Sequence, residues 1–236
     1  MTGNGQKVAI ITGASRGFGA GLVEGYRKLG YAVVGTSRSV GASQDAELVY
    51  VPGDIADPAT AERVVGTAVE RFGRVDALIN NAGGFTAKPF TDHTAEEFQW
   101  LLGVNVFGFF HMTRLAIPHM LAQGSGHIVQ ITASFVDHAN SNVQAAVALL
   151  TKGGLQAATK SLAIEYAGRG IRVNAVAPGI CKTALNPPET WAERGAVHPL
   201  GRMGEISDIV EAVLFLENAP FVTGEILHVD GGNSAR

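Results

Sequence analysis

The fold of this chain is decided by one stretch near its start, Lys7-Val8-Ala9-Ile10-Ile11-Thr12-Gly13-Ala14-Ser15-Arg16-Gly17-Phe18-Gly19. Its first part, Lys7–Thr12, is a short apolar run rich in β-branched residues, which is typical of a strand covered on both faces. A glycine-rich turn follows at once, and an amphipathic segment, Phe18–Leu29, comes after it. A strand, a tight glycine turn and a helix in this order predict the first unit of a parallel α/β sheet.

The same alternation of short apolar runs and longer amphipathic segments continues along the chain. The further strand candidates are Ala32–Thr36, Leu48–Val51, Ala77–Asn80, His127–Thr132, Arg172–Ala175 and Ile226–Val229. The further helix candidates are Pro58–Phe72, Ala95–Leu121, Val143–Gly168 and Ile206–Leu216. Repeated strand–helix units predict an α/β fold with a doubly wound parallel sheet of about seven strands and helices on both faces.

One segment does not follow this alternation. Residues Ile180–Gly204 are weakly periodic, contain Pro187-Pro188, and form an irregular region roughly twice as long as a usual loop. We interpret this region as a lid over a substrate. No stretch has the composition of a linker, so we expect residues 1–236 to form a single domain.

The composition excludes several classes of function. The 236 residues are 46% hydrophobic and 17% charged, so the chain can bury a large core and is not disordered. The formal net charge of -3 gives no reason to expect a nucleic-acid or anionic-membrane partner. The single cysteine, Cys181, excludes a disulfide framework, and no Cys/His cluster has zinc-site spacing, so we expect no metal.

Membrane and secretion signals are also not found in the sequence. No apolar run approaches the ~18 residues that are needed to cross a bilayer. The first residues, Met1–Lys7, contain no signal-peptide core. We therefore expect a cytoplasmic location.

The glycine turn Thr12–Gly19 also indicates a ligand. Glycines permit a tight turn and let backbone N–H groups and a helix N-terminus approach a pyrophosphate. The spacing is Gly-x-x-x-Gly-x-Gly, not the Gly-x-Gly-x-x-Gly of the usual dinucleotide fingerprint, so the turn alone is a weak indication. Its place at the first strand-to-helix junction of a doubly wound pattern strengthens the prediction.

Six motifs in order resemble the short-chain dehydrogenase/reductase family over nearly the whole chain. They are Thr12–Gly19, Gly53-Asp54-Ile55, Asn80-Asn81-Ala82-Gly83, Val104-Asn105-Val106, Pro178-Gly179-Ile180-Cys181-Lys182-Thr183, and Thr223-Gly224 with Val229-Asp230-Gly231-Gly232. The resemblance implies a Rossmann-like fold and hydride transfer with a nicotinamide cofactor. It also implies that the cofactor contacts Gly13, Ser15, Arg16, Gly17, Phe18, Gly19, Ser37, Arg38, Asp54, Ile55, Asn81, Ala82, Gly83, Lys152, Pro178, Gly179, Ile180 and Thr183.

The charge at the end of the second strand indicates which nicotinamide cofactor binds. An NAD enzyme needs a carboxylate there to accept a hydrogen bond from the ribose 2′-OH. Here the strand ends in Thr36-Ser37-Arg38, without Asp or Glu. Arg38 and Arg16 could instead pair with a 2′-phosphate through charge-assisted hydrogen bonds. We therefore expect NADP(H).

The general acid that the resemblance implies is missing. The family uses a serine, a tyrosine and a lysine, with tyrosine four residues before the lysine, and Lys152 matches that lysine. Four residues earlier stands Ala148, and seven residues earlier, the spacing of enoyl reductases, stands Ala145. The only tyrosines are Tyr26, Tyr31, Tyr50 and Tyr166, so no small shift of the alignment supplies one. The segment Asn140–Leu150 departs from the family pattern as well, which favours natural divergence over an engineered knockout.

The serine of the family falls on Ala133, with Ser134 one residue later. Neighbouring side chains of an extended chain point to opposite sides, which weakens Ser134 as its substitute. The resemblance implies Lys152, Asn105 and Ser134 as the catalytic residues. Asp137 and His138 follow in the same loop and are further candidates for a replacement proton donor, although a solvated polar loop explains them as well.

Three hypotheses about function remain open. The first, which we favour, is an atypical NADP(H)-dependent oxidoreductase that reduces a carbonyl, imine or activated alkene without the tyrosine acid. The second is a catalytically silent NADP(H)-binding subunit or sensor that partners an active relative. The third is non-redox chemistry in the same cavity, for which the sequence holds no specific support. The resemblance further implies a small-molecule substrate and a homo-oligomer, a dimer or tetramer formed through helices near 105–121 and 143–167.

Overall fold

The computed structural model describes residues 5–235. Met1–Asn4 and Arg236 lie outside the described residues, and so does the first part of the segment Met1–Lys7, in which no signal peptide is predicted. A seven-stranded parallel sheet with strand order β3-β2-β1-β4-β5-β6-β7 forms its centre. The strands are β1 (Val8–Thr12), β2 (Ala32–Ser37), β3 (Leu48–Pro52), β4 (Ala77–Asn80), β5 (Gly126–Ile131), β6 (Ile171–Pro178) and β7 (Ile226–Val229). The predicted Rossmann-like, doubly wound sheet is confirmed.

Seven α-helices accompany the strands in the described part of the chain. They are α1 (Gly17–Lys28), α2 (Pro58–Phe72), α3 (Ala95–Leu101), α4 (Gly108–Gln123), α5 (Ala146–Tyr166), α6 (Trp191–Gly195) and α7 (Ile206–Asn218). Every predicted helix is present. The bounds differ most at α5, which begins three residues later than predicted and is followed by a 3-10 turn, Ala167–Arg169.

Both faces of the sheet are covered, which explains why the strands are apolar throughout. In β1, Val8 and Ile10 pack into the core on one face, and Ala9 and Ile11 pack into the core on the other. The first core contains residues of α2, α4 and α5, and the second contains residues of α1 and α7. Each fully buried Val or Ile side chain contributes about 1.5–3 kcal/mol to folding.

Helix α2 shows how local signals set an element. The Asp57 carboxylate accepts a hydrogen bond from the Ala59 N–H at 3.0 Å, and Pro58 occupies the first helical position, where its missing N–H costs nothing. Gly73 ends the helix in the left-handed region with φ of 80°. Because both end signals are local, the predicted bounds and the observed bounds agree.

The predicted helix Ala95–Leu121 is one helical run, but it is interrupted. A π-helical turn, Leu102–Phe107, separates α3 from α4. Such turns occur mostly as single interruptions of α-helices and are frequent at functional sites. This one carries Asn105 into the interior, where the residue is almost fully buried.

The same run corrects the expectation that no stretch is long and apolar enough to cross a membrane. By length and composition alone Ala95–Gln123, 29 residues with a mean hydropathy of 1.3 in its most apolar window, passes that test. Core helices of globular proteins pass it too, and 44% of that window is buried inside the protein. One such helix is therefore a weak indication of a membrane span.

The segment Ile180–Gly204 is more regular than the sequence predicts. It contains a 3-10 turn, Pro188–Thr190, and the short helix α6. Its two ends are joined, because the Lys182 N–H donates to the Gly204 carbonyl at 2.8 Å and the Gly204 N–H donates to the Ile180 carbonyl at 2.9 Å. Most of the segment still consists of turns and bends, as predicted, but the contacts that join its ends link residues about twenty positions apart and could not be found from the sequence.

A buried carboxylate fastens α7 to the amino ends of the strands. Glu217 accepts hydrogen bonds from the hydroxyls of Tyr26 and Tyr31 at 2.9 and 2.8 Å and from Nδ1 of His127 at 2.8 Å. Burial by itself raises the pKa of Glu217, but these donors outweigh it and hold the pKa below its ordinary value. Burial lowers the pKa of His127, so a neutral imidazole donates to a charged carboxylate.

Replacing Glu217 with alanine leaves three buried donors without their acceptor. We expect Glu217→Ala to lower the free energy of unfolding by about 3 kcal/mol, measured by urea denaturation at neutral pH. Glu217→Gln keeps an acceptor oxygen, so its free energy of unfolding should fall by less than that of Glu217→Ala. Glu211→Ala on the exposed side of α7 is the control and should stay within ~0.5 kcal/mol. An equal effect of the two alanine variants would contradict a structural role for this cluster.

Candidate functional site

The candidate site lies where the strand order reverses. Strands β1 and β4 are neighbours there, and ligands of doubly wound sheets bind outside the carboxyl ends of strands at such a point. Thr12, the last residue of β1, links the carboxyl end of β1 to the loop that follows β4. Its Oγ1 accepts hydrogen bonds from the N–H groups of Asn81 and Ala82 at 3.0 and 2.9 Å, and the Asn81 Nδ2 donates to the Thr12 carbonyl at 2.8 Å.

The glycine turn between β1 and α1 leaves room for a ligand close to the backbone. Gly13 and Gly17 have φ of 68° and 56°, a region that side-chain-bearing residues rarely adopt. A Cβ on Gly19 would overlap the Gly13 carbonyl oxygen and come within 2.8 Å of Asn81 Nδ2. The start of α1 has no side-chain cap and no acidic residue in its first turn. These free N–H groups and the helix dipole suit a pyrophosphate.

The residues predicted for the adenosine side lie around the ends of β2 and β3. Ser37, the last residue of β2, donates from its hydroxyl to Ser15 Oγ at 2.9 Å. Arg16 and Arg38 are both exposed. Asp54 is exposed and accepts from the Ala56 N–H at 3.0 Å, while the neighbouring Ile55 is buried.

The predicted nicotinamide side continues from the end of β6. Pro178 is the last residue of that strand, and the Ile180 N–H donates to Nε2 of the buried His198 at 3.0 Å. Further along the segment, Thr183 lies next to the glycine turn. A Cβ built on Gly17 would be 4.0 Å from Thr183 Cγ2. The structure therefore brings this segment and the glycine turn to one edge of the sheet.

Asn105 is held by three hydrogen bonds inside the protein. Its Oδ1 accepts from the Gly84 N–H at 2.8 Å, and its Nδ2 donates to the Gly84 carbonyl at 3.1 Å and to Thr151 Oγ1 at 2.8 Å. The side chain thus fixes the loop after β4 against α5. Sequence reasoning did not single out Thr151, although it stands next to Lys152.

Lys152 is a buried lysine at the centre of this arrangement. Its Nζ donates to the Ile131 carbonyl at 2.8 Å, and the residue is only 6% exposed. A Cβ on Gly83 would lie 2.8 Å from that Nζ and 3.0 Å from Asn105 Oδ1, so a side chain here would have to displace the end of Lys152. Burial lowers the pKa of Lys152 to about 8.

Ala148 lies one helical turn before Lys152 and is fully buried. Its apolar cluster contains Leu101, Val147, Phe85 and Phe98. Sequence reasoning missed the two phenylalanines, because they pack against a cluster that joins α3 to α5, about fifty positions further along the chain. The surroundings of Ala148 are therefore apolar and partly aromatic.

The residues predicted as replacement proton donors differ in their accessibility to solvent. Ser134 is fully buried, and its hydroxyl has no hydrogen-bond partner among the described residues. Asp137 is paired with His228, whose Nε2 lies 2.9 Å from the Asp137 carboxylate. The His138 ring lies edge-on to the His228 ring at 6.4 Å. His228, on β7, was not singled out from the sequence.

Contacts of Lys182 and Trp191 anchor the segment Ile180–Gly204. The Lys182 ammonium lies 4.8 Å from the centroid of the Trp191 ring and also pairs with Glu205 at the start of α7. The Trp191 Nε1 donates to the Asn186 carbonyl at 2.9 Å. No group of three or more metal-ligating side chains occurs within residues 5–235.

Comparisons with known proteins agree with this geometry. A family model described as Enoyl-(Acyl carrier protein) reductase matches residues 13–234. The chain is 39% identical, over 95% of each chain, to ketoacyl reductase 2 of the granaticin polyketide synthase of Streptomyces violaceoruber. It is also similar to the crystal structure of 3-ketoacyl-(acyl-carrier-protein) reductase from Brucella melitensis complexed with NADH (TM-score 0.89, 35% identity, 97% of this chain and 98% of that one).

A second solved structure, ElxO with NADP bound, has a TM-score of 0.90 and 28% identity over 98% of this chain and all of that one. The chain belongs to the short-chain dehydrogenase/reductase family, whose members are NAD(P)-dependent oxidoreductases. A nicotinamide cofactor is supported by these relatives, one of which holds NADH and another NADP.

The close approach at Gly19 gives a direct test of the glycine turn. We expect Gly19→Ala to lower the melting temperature and to abolish dinucleotide binding, because the added methyl overlaps the Gly13 carbonyl. Gly66→Ala is the matched control, since a Cβ at that position of α2 meets no atom within 4 Å. It should stabilise the helix by up to about 1 kcal/mol. A Gly19→Ala protein that binds the cofactor normally would show that the turn is not tightly packed.

Proposed function

We propose that this chain is an atypical NADP(H)-dependent short-chain oxidoreductase that transfers hydride to a carbonyl, imine or activated alkene without a tyrosine acid. One observation carries the proposal. Lys152 and Asn105 are buried and held in place around Gly83, while the position one turn before Lys152 is Ala148. The machinery that positions a cofactor is thus present without the usual proton donor.

Each set of residues has a distinct task in this proposal. The glycine turn and the N-terminus of α1 bind the pyrophosphate, and Asp54 and Ile55 lie on the adenine side. Lys152 holds the ribose next to the reacting ring, and the segment Pro178–Thr183 supports the amide of that ring. A bound nicotinamide cofactor supplies the hydride. Asn105 fixes the loop after β4, which keeps the substrate side of the site in position.

The preference for the phosphorylated cofactor rests on charge. Two exposed arginines, Arg16 and Arg38, flank the Ser15–Ser37 hydrogen bond, and β2 ends without a carboxylate. A guanidinium attracts a 2′-phosphate, whereas a carboxylate at this place would repel it.

Reversing one of these charges tests the preference. We expect Arg38→Asp to weaken NADPH binding on the order of tenfold or more and to improve NADH binding, because the new carboxylate can accept from a ribose 2′-OH. Fluorescence titration with both cofactors measures this change. Lys28→Asp, the same charge reversal at the opposite end of α1, should leave both affinities unchanged. Unchanged NADPH affinity in Arg38→Asp would refute the assignment.

The missing tyrosine predicts which substrates react. Proton delivery by a positioned acid contributes typically 10²–10⁴-fold, so its loss should slow reductions that depend most on it. In a panel of ketones, imines and activated alkenes with NADPH, we expect turnover of imines or alkenes and little turnover of ketones. Fast reduction of unactivated ketones would contradict this expectation and would show that another group of the site acts as an effective acid.

A silent NADP(H)-binding subunit is the second candidate, and a specific observation favours it. Ala148 is fully buried in an apolar cluster, and Ala133 and Ser134, the two candidates for the family's serine position, are buried as well. NADPH binding with no turnover on the whole panel would favour this candidate. A tyrosine-bearing relative that co-purifies with the chain would then identify the active subunit.

Several further assignments belong to the same proposal. We assign residues 1–236 to a single domain and the segment 180–204 to its substrate lid. Exposed large apolar side chains on and next to α4 and α5 support a homo-oligomer, either a dimer or a tetramer, formed through these helices; they are Phe107, Phe110, Leu150 and Ile164. A cytoplasmic location remains a prediction from the single cysteine.

A further inference from the structure

The Lys152 ammonium is buried without a charged partner. It is 6% exposed, it makes one hydrogen bond, to the Ile131 carbonyl, and it takes part in none of the ion pairs within residues 5–235. Burying a charge without compensation is costly. Lysines in such surroundings change protonation state readily and are used as acids and bases.

The groups that face this ammonium are neutral on every element that packs against it. The loop after β4 presents Gly83, the π-helical turn presents the Asn105 amide, and β5 presents the Ile131 carbonyl. On α5 itself, the residue one turn earlier is Ala148. Asp137 and His138, the ionisable residues of the following loop, are both exposed, and Asp137 is paired with His228. Burial is accordingly the cause that lowers the pKa of Lys152, to about 8.

We propose that Lys152 is the proton donor of this site, in the role that a tyrosine has in the family; the proposal rests on the oxidoreductase proposed above. Ser134 is fully buried, and Asp137 is already paired with His228, so neither residue is as well suited as Lys152 to donate a proton to a substrate. Lysine combines two properties here. It lies against Gly83 in the loop that borders the cofactor edge, and it can release a proton near neutral pH.

The step balances in protons and electrons. The carbon of the electrophile receives the hydride, and the π-electron pair moves to the oxygen, nitrogen or α-carbon of the electrophile. One N–H bond of Lys152 breaks, its proton bonds to that atom, and the electron pair stays on Nζ as a neutral amine. A proton from water then restores the ammonium. Each turnover therefore consumes one hydride and one proton.

The first experiment measures Lys152 without cofactor or turnover. In the protein with ¹³C-labelled lysine, we expect one Cε resonance that titrates with a midpoint near the value of about 8 given above, well below ordinary lysines. Lys152→Arg should remove that resonance. Lys160→Arg, which replaces an exposed lysine of the same helix, should keep it. A Lys152 resonance that titrates only near 10.4 would overturn the proposal.

The second experiment uses the pH dependence of reduction with NADPH. The wild-type rate should be constant below about pH 8 and fall tenfold per pH unit above it, because only the ammonium donates a proton. Lys152→Arg keeps a positive charge, but arginine does not release a proton in proteins. At saturating NADPH this variant should lose turnover on the order of 10²-fold, with circular dichroism as the check that it folds, while Lys160→Arg keeps both turnover and NADPH binding.

The outcomes separate the two proposals. An active wild-type protein whose rate is independent of pH between 7 and 9, or a fully active Lys152→Arg, overturns Lys152 as donor and leaves the oxidoreductase standing. A wild-type protein that binds NADPH and turns over no member of the panel overturns the oxidoreductase, and the donor with it. If Lys152→Arg does not fold, the wild-type pH profile and the Cε titration decide the question.

Discussion

The site depends on one hydroxyl, Thr12 Oγ1, at the carboxyl end of β1. By accepting hydrogen bonds from the backbone N–H groups of Asn81 and Ala82, it joins the glycine turn to the loop after β4 beyond the point where the strands stop pairing. The next residues of that loop lie against Lys152 and are held by Asn105. The position of Lys152 and Asn105 relative to the glycine turn therefore follows from a contact between two strand ends.

Two buried charges in the molecule differ in how they are compensated. Glu217, at the amino ends of the strands, accepts hydrogen bonds from three donors and fastens α7 to the sheet. Lys152, at the carboxyl ends, has one backbone acceptor and takes part in none of the ion pairs of the described residues. A group compensated as fully as Glu217 contributes to stability, whereas a poorly compensated one costs stability and is best explained by function.

Local patterns made the sheet and most helices predictable. The apolar runs and the end signals of α2, Asp57 and Gly73, act within a few residues and so can be found in the sequence. The π-helical turn around Asn105 and the aromatic cluster around Ala148 could not be found, because they depend on contacts between distant segments. The contacts that join the ends of the segment Ile180–Gly204 could not be found for the same reason, because they link residues about twenty positions apart. In the site, motifs indicated which residues meet but not how deeply Lys152 is buried.

A lysine donor also bears on the charge of the substrate. An ammonium stabilises negative charge that develops on the acceptor atom, and the apolar surroundings of Ala148 strengthen this effect by excluding water. A cationic electrophile such as an iminium would be repelled by the same group as long as it is protonated. Neutral electrophiles that develop an oxyanion, an enolate or an amide anion fit the site better, because the ammonium attracts that charge before it transfers the proton. With alanine at position 148 and Lys152 as the proposed proton donor, the site would favour activated, uncharged substrates.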